Sequence, residues 1–201
     1  MNLFELVTSA PPDPILGVSE AFRNDPNPEK INLSVGVYQD ETGVSPVLES
    51  VREAESRLSK ESGSKSYLPI NGHPDYLAHT RDLVFGVGNE MTQTGCVASV
   101  HTPGGTGGLR LAGDFVRQCL GKRTIWMSNP TWANHKGIFD RTDLEMASYP
   151  YYDPETHGLN FSGMITVLED IPENDVVLLH ACCHNPTGVD PSAEDWEDRK
   201  S

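Results

Sequence analysis

No stretch of this 201-residue chain approaches the roughly 20 consecutive apolar residues that span a bilayer. Basic side chains are scarce: 15 Lys and Arg stand against 29 Asp and Glu, a formal net charge of −14. Nucleic-acid binding needs clustered Lys and Arg along a phosphate backbone, so this balance argues against it. An anionic ligand would have to be held by local donors against the overall field. The opening residues, Met1 to Thr8, lack a basic region followed by a long apolar stretch, and they are not Arg-rich. Neither a secretory signal nor a transit peptide is therefore expected, and the expected address is cytoplasmic. There is no internal repeat and no low-complexity segment. The four cysteines, Cys96, Cys119, Cys182 and Cys183, are expected to be reduced thiols. Cys182, Cys183 and His184 have no second ligand pair at a usual zinc spacing, so no metal is expected. The two thiols are expected to be small buried side chains at a strand end.

Hydrophobic residues at 37% and charged residues at 22% describe a soluble globular chain. Its first 45 residues read as an arm with one short helix. Asp13-Pro14 opens that helix, Ile15, Leu16, Val18 and Phe22 form its apolar side, and Asn24-Asp25-Pro26 stops it. Ser45-Pro46 opens a second helix with Val47, Val51, Ala54 and Leu58 on one face, up to Lys60. A third is expected from Asp75 to Phe85, stopped by Gly86. From Gly95 the pattern becomes strand, loop, helix, repeated. Strands are expected at Val97–Thr102, Thr124–Ser128, Leu144–Tyr149 and Val176–Ala181, the last apolar without alternation, as in a strand buried on both faces. Helical faces are marked by Leu109, Ala112, Val116 and Cys119, by Ile138 and Phe139, and by Phe161, Ile165 and Leu168. The alternation predicts an α/β domain with a mainly parallel sheet. Ligands of such sheets bind at the carboxyl edge, where three loops would meet: Pro103 to Gly108, Asn129 to Trp132 and His184 to Gly188.

Each loop offers one piece of chemistry. The glycines of Pro103-Gly104-Gly105-Thr106-Gly107-Gly108 let backbone N–H groups face an anion at a helix start, and Thr106 adds a hydroxyl. No Gly-Lys-Ser/Thr ends the loop, and Arg110 stands where a dinucleotide fingerprint needs its third glycine. The indole of Trp132 suits stacking on a planar ring, or core filling beside the next helix. His135 would orient a neighbouring carboxylate or cap its helix. Asn185 has amide donors and an acceptor suited to a phenolic oxygen, although Asn-Pro also opens turns. Together these fit a phosphorylated aromatic cofactor, with flavin mononucleotide and pyridoxal phosphate both qualifying.

A resemblance separates the two. Asp13-Pro14-Ile15-Leu16, Lys30-Ile31-Asn32-Leu33, Gly36-Val37-Tyr38, Asp40-Glu41-Thr42-Gly43, Thr102-Pro103-Gly104-Gly105-Thr106-Gly107, Ser128-Asn129-Pro130-Thr131-Trp132 with Asn134-His135, and Cys182-Cys183-His184-Asn185-Pro186-Thr187-Gly188 resemble, in order and spacing, the N-terminal half of class I pyridoxal-phosphate aminotransferases of the aspartate type. The resemblance implies a fold-type I architecture, with residues 1–45 as an arm and small-domain segment and 46–201 as an incomplete N-terminal part of the large cofactor-binding domain. It implies that Gly105 and Thr106 hold the phosphate, that Trp132 stacks on the ring, and that Asn185 bonds the phenolic oxygen. His135 would stand behind these contacts. The Gly36 backbone, with Trp132 and Asn185, would contact substrate, and Tyr67 would reach the phosphate in the partner subunit of a homodimer. The implied reaction moves the amino group of L-aspartate to 2-oxoglutarate.

The family is about twice this long, and its Schiff-base lysine is expected beyond residue 201, so no catalytic residue is assigned within the chain. Ser62-Gly63-Ser64-Lys65 imitates that lysine's context but precedes every predicted sheet strand. A fragment boundary, an early stop and a shifted frame would each give this ending, and the alternative is a non-catalytic product that binds phosphate weakly or pairs with a full-length subunit. An aromatic substrate is the alternative to aspartate within the family.

Overall fold

The computed structural model describes residues 14–32, 36–121 and 123–198, with side chains from residue 17 to residue 197 in those ranges. It forms two compact units, residues 1–66 and 67–201.

The first unit carries α1 (Pro14–Asn24) and α2 (Glu49–Lys60). The Asp13 cap and the side chains of Ile15 and Leu16 lie outside the described residues. Helix α2 starts later than Ser45-Pro46 suggests. The Ser45 hydroxyl instead donates to the Tyr38 carbonyl at 2.9 Å, and Leu48 takes the cap position without a side-chain bond. None of the residues of α2 is buried, and Val51 and Leu58 are exposed, so among the described residues its apolar stripe has no cover.

The second unit begins with α3 (Pro74–Phe85), which Gly86 ends as expected, and α4 (Glu90–Gln93), capped by the Asn89 side chain. Helix α5 (Gly104–Phe115) follows and runs on through a π-helical turn, Val116–Leu120. Gly104 enters it at φ +68°, a left-handed conformation that a side chain disfavours. The remaining elements are β1 (Thr124–Asn129), α6 (Asn134–Phe139), β2 (Glu145–Pro150), β3 (Tyr152–Asp153), β4 (Gly158–Leu159), α7 (Phe161–Glu169), β5 (Val176–Val177) and α8 (Ala193–Asp198). The main sheet has the order β2-β1-β5 and is parallel throughout, with Thr124 opposite Glu145 and Ile125 opposite Val176. β3 and β4 form a small antiparallel ribbon.

Side chains alternate across β1, because successive residues of a strand face opposite ways. Ile125 and Met127 join Ile138, Phe139 and Leu144 in one buried cluster, with Leu109, Val116 and Trp132 against it. Trp126 packs on the other, built from Tyr149, Tyr151 and Met164 under α7. The Asn160 side chain caps α7 through the Gly163 N–H at 3.0 Å. The Asp175 carboxylate ties the start of β5 to β1, accepting from the Thr124 N–H and the Trp126 indole, each at 3.1 Å.

Two expected strands change. Residues 97–102 form no strand: His101 donates its N–H to the Asn71 carbonyl at 2.8 Å, but among the described residues no neighbouring strand supplies a ladder. The run Val176–Ala181 pairs only over Val176–Val177, prolonged by one bond from the Leu178 N–H to the Trp126 carbonyl. β5 is an edge strand with β1 on one side, so it is half-buried rather than enclosed, and Leu179 is exposed.

Candidate cofactor site

The carboxyl ends of β1 and β5 carry the second and third predicted loops, and the structure brings these two together. Asn129-Pro130 and Asn185-Pro186 are both cis peptides. A row of aromatic rings links the loops. Trp132 meets His135 edge-on at 5.3 Å, His135 meets His180 at 5.4 Å, His180 meets His184 at 4.4 Å, and His184 stacks on Tyr151 at 3.8 Å. The buried His184 Nε2 lies 2.9 Å from Ser128 Oγ at the end of β1. The Asn185 N–H donates to His180 Nδ1 at 3.1 Å, and the Asn185 side chain is exposed.

Trp132 is half-buried. It rests on the Ile125–Leu144 cluster, yet part of its surface stays accessible, so packing and ring contact are compatible roles. His135 is buried and lies inside the first turn of α6, where it makes no cap; its Nδ1 is 2.8 Å from Thr131 Oγ1. Burial, then the neighbouring His180, lowers its pKa. Burial also lowers that of His180, against the pull of Asp190. His184 falls furthest, to about 4, from burial first and then the adjacent His180. Histidines that cannot readily gain charge keep ring nitrogens available as acceptors.

Gly105 and Thr106 stand in the first turn of α5, whose cap residue, Pro103, has no side-chain bond to give. The first N–H groups of a helix have no partner within it. The Gly104 N–H turns back to the Thr102 carbonyl at 2.9 Å, and the N–H groups of Gly105 and Thr106 stand at the positive end of the helix dipole. No acidic side chain occupies this turn, and a Cβ at Gly105 would meet nothing within 4 Å. An open cleft of ≈ 500 Å³ adjoins the loop, lined by Tyr76, Thr80, Ser99, His101, Thr102 and Gly105 among others. The donors and hydroxyl of α5 suit an anion, and the half-buried indole and accessible amide of the two joined loops suit an aromatic ring; among the described residues no strand precedes the α5 turn, so it does not follow a sheet strand as expected. Tyr67, at the start of this unit, is fully exposed, and Gly36 lies exposed in the 1–66 unit.

Cys182 and Cys183 are exposed, contrary to the expectation of buried strand-end side chains. The ladder has already ended, and Cys183 turns the chain at φ +53°. Sequence reading also missed Ser128, Thr187, Tyr151 and Asp190 as partners of this loop. The four-residue spacing of Thr131 and His135 at a helix entry was a readable signal, whereas contacts such as Ser128 to His184 cross 56 positions and leave none.

Comparison with known proteins gives the class. Residues 28–199 match the family model described as aminotransferase class I and II. The chain is 47% identical over 195 residues to the aspartate aminotransferase of Escherichia coli, covering 97% of this chain and 49% of that protein. It is 45% identical to the aromatic-amino-acid aminotransferase of Pseudomonas aeruginosa, covering 98% and 49%. Among solved structures it superposes with a TM-score of 0.91, at 43% identity, on the aromatic-amino-acid aminotransferase of Burkholderia pseudomallei covalently bound to pyridoxal phosphate, covering 99% of this chain and 50% of that one. The chain belongs to the class I and II aminotransferase family and has its fold-type I architecture. It spans about half the length of the curated relatives it matches.

Proposed function

We propose that the complete protein is a pyridoxal-phosphate-dependent aspartate aminotransferase, passing the amino group of L-aspartate to 2-oxoglutarate. The carrying observation is the meeting of the Trp132–His135 turn with the Asn185 loop at the end of β1. When bound, the cofactor supplies an electron sink. Gly105 and Thr106 would hold its phosphate through backbone N–H and hydroxyl donors, at the helix end that favours negative charge. Trp132 would lie against the ring, with its own position fixed by the cluster beneath it. Asn185 would donate its amide to the phenolic oxygen and favour the ionised form of that group. His135, held by Thr131, would keep a neutral imidazole behind them. In the N-terminal segment, the Gly36 N–H would bind the substrate carboxylate.

Residues 1–45 are read as the arm and small-domain segment and 46–201 as the N-terminal part of the cofactor domain. Tyr67 would serve the phosphate of a partner subunit in a homodimer, which light scattering of the complete protein tests. None of the lysines is assigned to the cofactor. Lys30, Lys60 and Lys65 lie in the 1–66 unit, Lys136 spends its ammonium on both oxygens of Asp140 at 2.9 and 3.1 Å, and Lys122 and Lys200 lie outside the described residues. The polypeptide 1–201 alone is expected to show no turnover above free cofactor, which the coupled assay below tests.

The test is a coupled assay of the complete protein with aspartate and 2-oxoglutarate, run beside phenylalanine and tyrosine. The 45% identity to an aromatic-amino-acid aminotransferase favours a second reading in which aromatic substrates are accepted. A kcat/KM larger for tyrosine than for aspartate would select it, and no turnover with either would overturn the proposal.

A further inference from the structure

Asn185 is exposed, yet the residue before it is among the most enclosed in the chain. His184 is 2% exposed and is held from every side. Its Nε2 meets Ser128 Oγ at 2.9 Å, its Nδ1 meets Thr187 Oγ1 at 2.8 Å, and its ring lies 3.8 Å from that of Tyr151, 11° from parallel. The backbone is held as well. Asp190 accepts the Cys183 N–H on one carboxylate oxygen at 2.6 Å and the His184 N–H on the other at 2.8 Å. The Gly188 N–H closes the turn on the His184 carbonyl at 2.7 Å, and the Tyr151 hydroxyl donates to the Val189 carbonyl at 2.7 Å.

We propose that His184, anchored by Asp190, is the positioning residue that aims the Asn185 amide; this rests on the reading that Asn185 bonds the phenolic oxygen of the cofactor. A hydrogen bond of that kind weakens steeply once its angle or length drifts. Among the described residues Asn185 makes one bond, from its backbone N–H to His180, so its aim is inherited from its neighbour. One neutral tautomer satisfies every contact. Thr187 Oγ1 accepts the Val189 N–H at 3.2 Å, and its own proton can be given to His184 Nδ1. In that tautomer His184 carries its proton on Nε2 and can donate it to Ser128 Oγ. A neutral imidazole satisfies both contacts and ties the loop to the end of β1, and burial holds the ring in that state.

The test uses the complete protein and three variants, with Thr187→Val in reserve. His184→Phe keeps a ring to stack on Tyr151 and removes both side-chain bonds. Asp190→Asn keeps one acceptor oxygen and loses the other. Asn185→Ala removes the amide itself. Two readouts apply: amide hydrogen exchange of residues 180–190 without cofactor, and the pH midpoint of the absorbance change of bound pyridoxal phosphate. In His184→Phe the loop is expected to exchange about tenfold faster while β1 and α7 keep their protection. The pH midpoint is expected to move in the same direction as in Asn185→Ala, by a smaller amount. Unchanged exchange overturns the inference, and so does faster exchange with the wild-type midpoint, because His184 would then be structural only. An unmoved midpoint in Asn185→Ala instead removes the reading of Asn185, and this inference with it. If His184→Phe does not fold, Asp190→Asn and Thr187→Val decide by the same two measurements.

Discussion

Gly113 shows how packing far from the loop controls the proposed phosphate cradle. It sits in α5, and a Cβ placed there would lie 2.8 Å from Thr142 Cγ2 and 3.2 Å from Phe139 Cδ1. Carbon atoms prefer about 3.5–4.0 Å, so α5 must part from the α6 side by roughly 0.7 Å or more. Overpacking of this kind costs about 1–3 kcal/mol. Alanine offsets up to ~1 kcal/mol of that through its better helix propensity. Gly113→Ala is therefore expected to destabilise the complete protein by about 1 kcal/mol, although alanine is the better helix former. Thr142→Ser removes the nearer methyl and retains the hydroxyl bond to the Phe139 carbonyl, 2.7 Å long. In that background Gly113→Ala should be neutral or stabilising, a coupling of about 1–2 kcal/mol. The assay is a urea double-mutant cycle compared at constant slope. Because α5 is one rod from Gly104 to Phe115, the single variant should also weaken cofactor binding, and Thr142→Ser should restore it. Additive energies in the cycle would refute the close-approach argument.

In the complete protein, Trp132→Ala should lower kcat/KM for aspartate by at least about tenfold, or ~1.4 kcal/mol of transition-state stabilisation, and unchanged kinetics would leave the indole with core filling alone. Thr106→Val removes a hydroxyl at nearly constant size, so titration of the apoprotein with pyridoxal phosphate should give a raised Kd while the melting temperature stays close to wild type. An identical Kd would remove the phosphate role. Acid should loosen the site before general carboxylate titration begins. The folded pKa of His184 is about 4, and those of His135 and His180 are lowered too, against an unfolded value near 6.5. The unfolded chain thus binds more protons between those limits, so stability is full above about pH 6.5 and falls as pH drops toward 4. A melting temperature constant from pH 7 to pH 5 would contradict the neutral-histidine cluster.

Much of the local structure around the candidate site was legible because its residues sit where short-range chemistry leaves a trace. A glycine run before an apolar helical face marks a helix start with free donors, and α5 begins at Gly104 as that pattern requires. Asn-Pro after an apolar run marks a strand end, and both such loops meet at the end of β1. What the sequence could not carry is the fastening behind them. Whether Asp190 turns outward or binds two backbone N–H groups depends on the left-handed Cys183 between strand end and loop, and no residue type announced that turn.

The fold was least legible where an element depends on a neighbour. Helices α3 and α7 satisfy their own backbones, so periodicity and caps locate them closely. A strand has no such autonomy: its N–H and C=O groups need a second chain segment, and apolar content only makes a segment eligible. Thr124–Asn129 has β2 on one side and β5 on the other, and it forms the full length expected of it. Val176–Ala181 is equally apolar but pairs on one side only, and it shortens to two residues. Residues 97–102, whose His101 N–H reaches the Asn71 carbonyl while the Thr102 carbonyl is taken by the Gly104 N–H, form no strand. The same dependence bears on α2, whose Val51 and Leu58 repeat at helical spacing yet stay exposed within their unit. Apolar periodicity thus reports which face an element offers, and the pairing actually made decides how much of that face becomes structure.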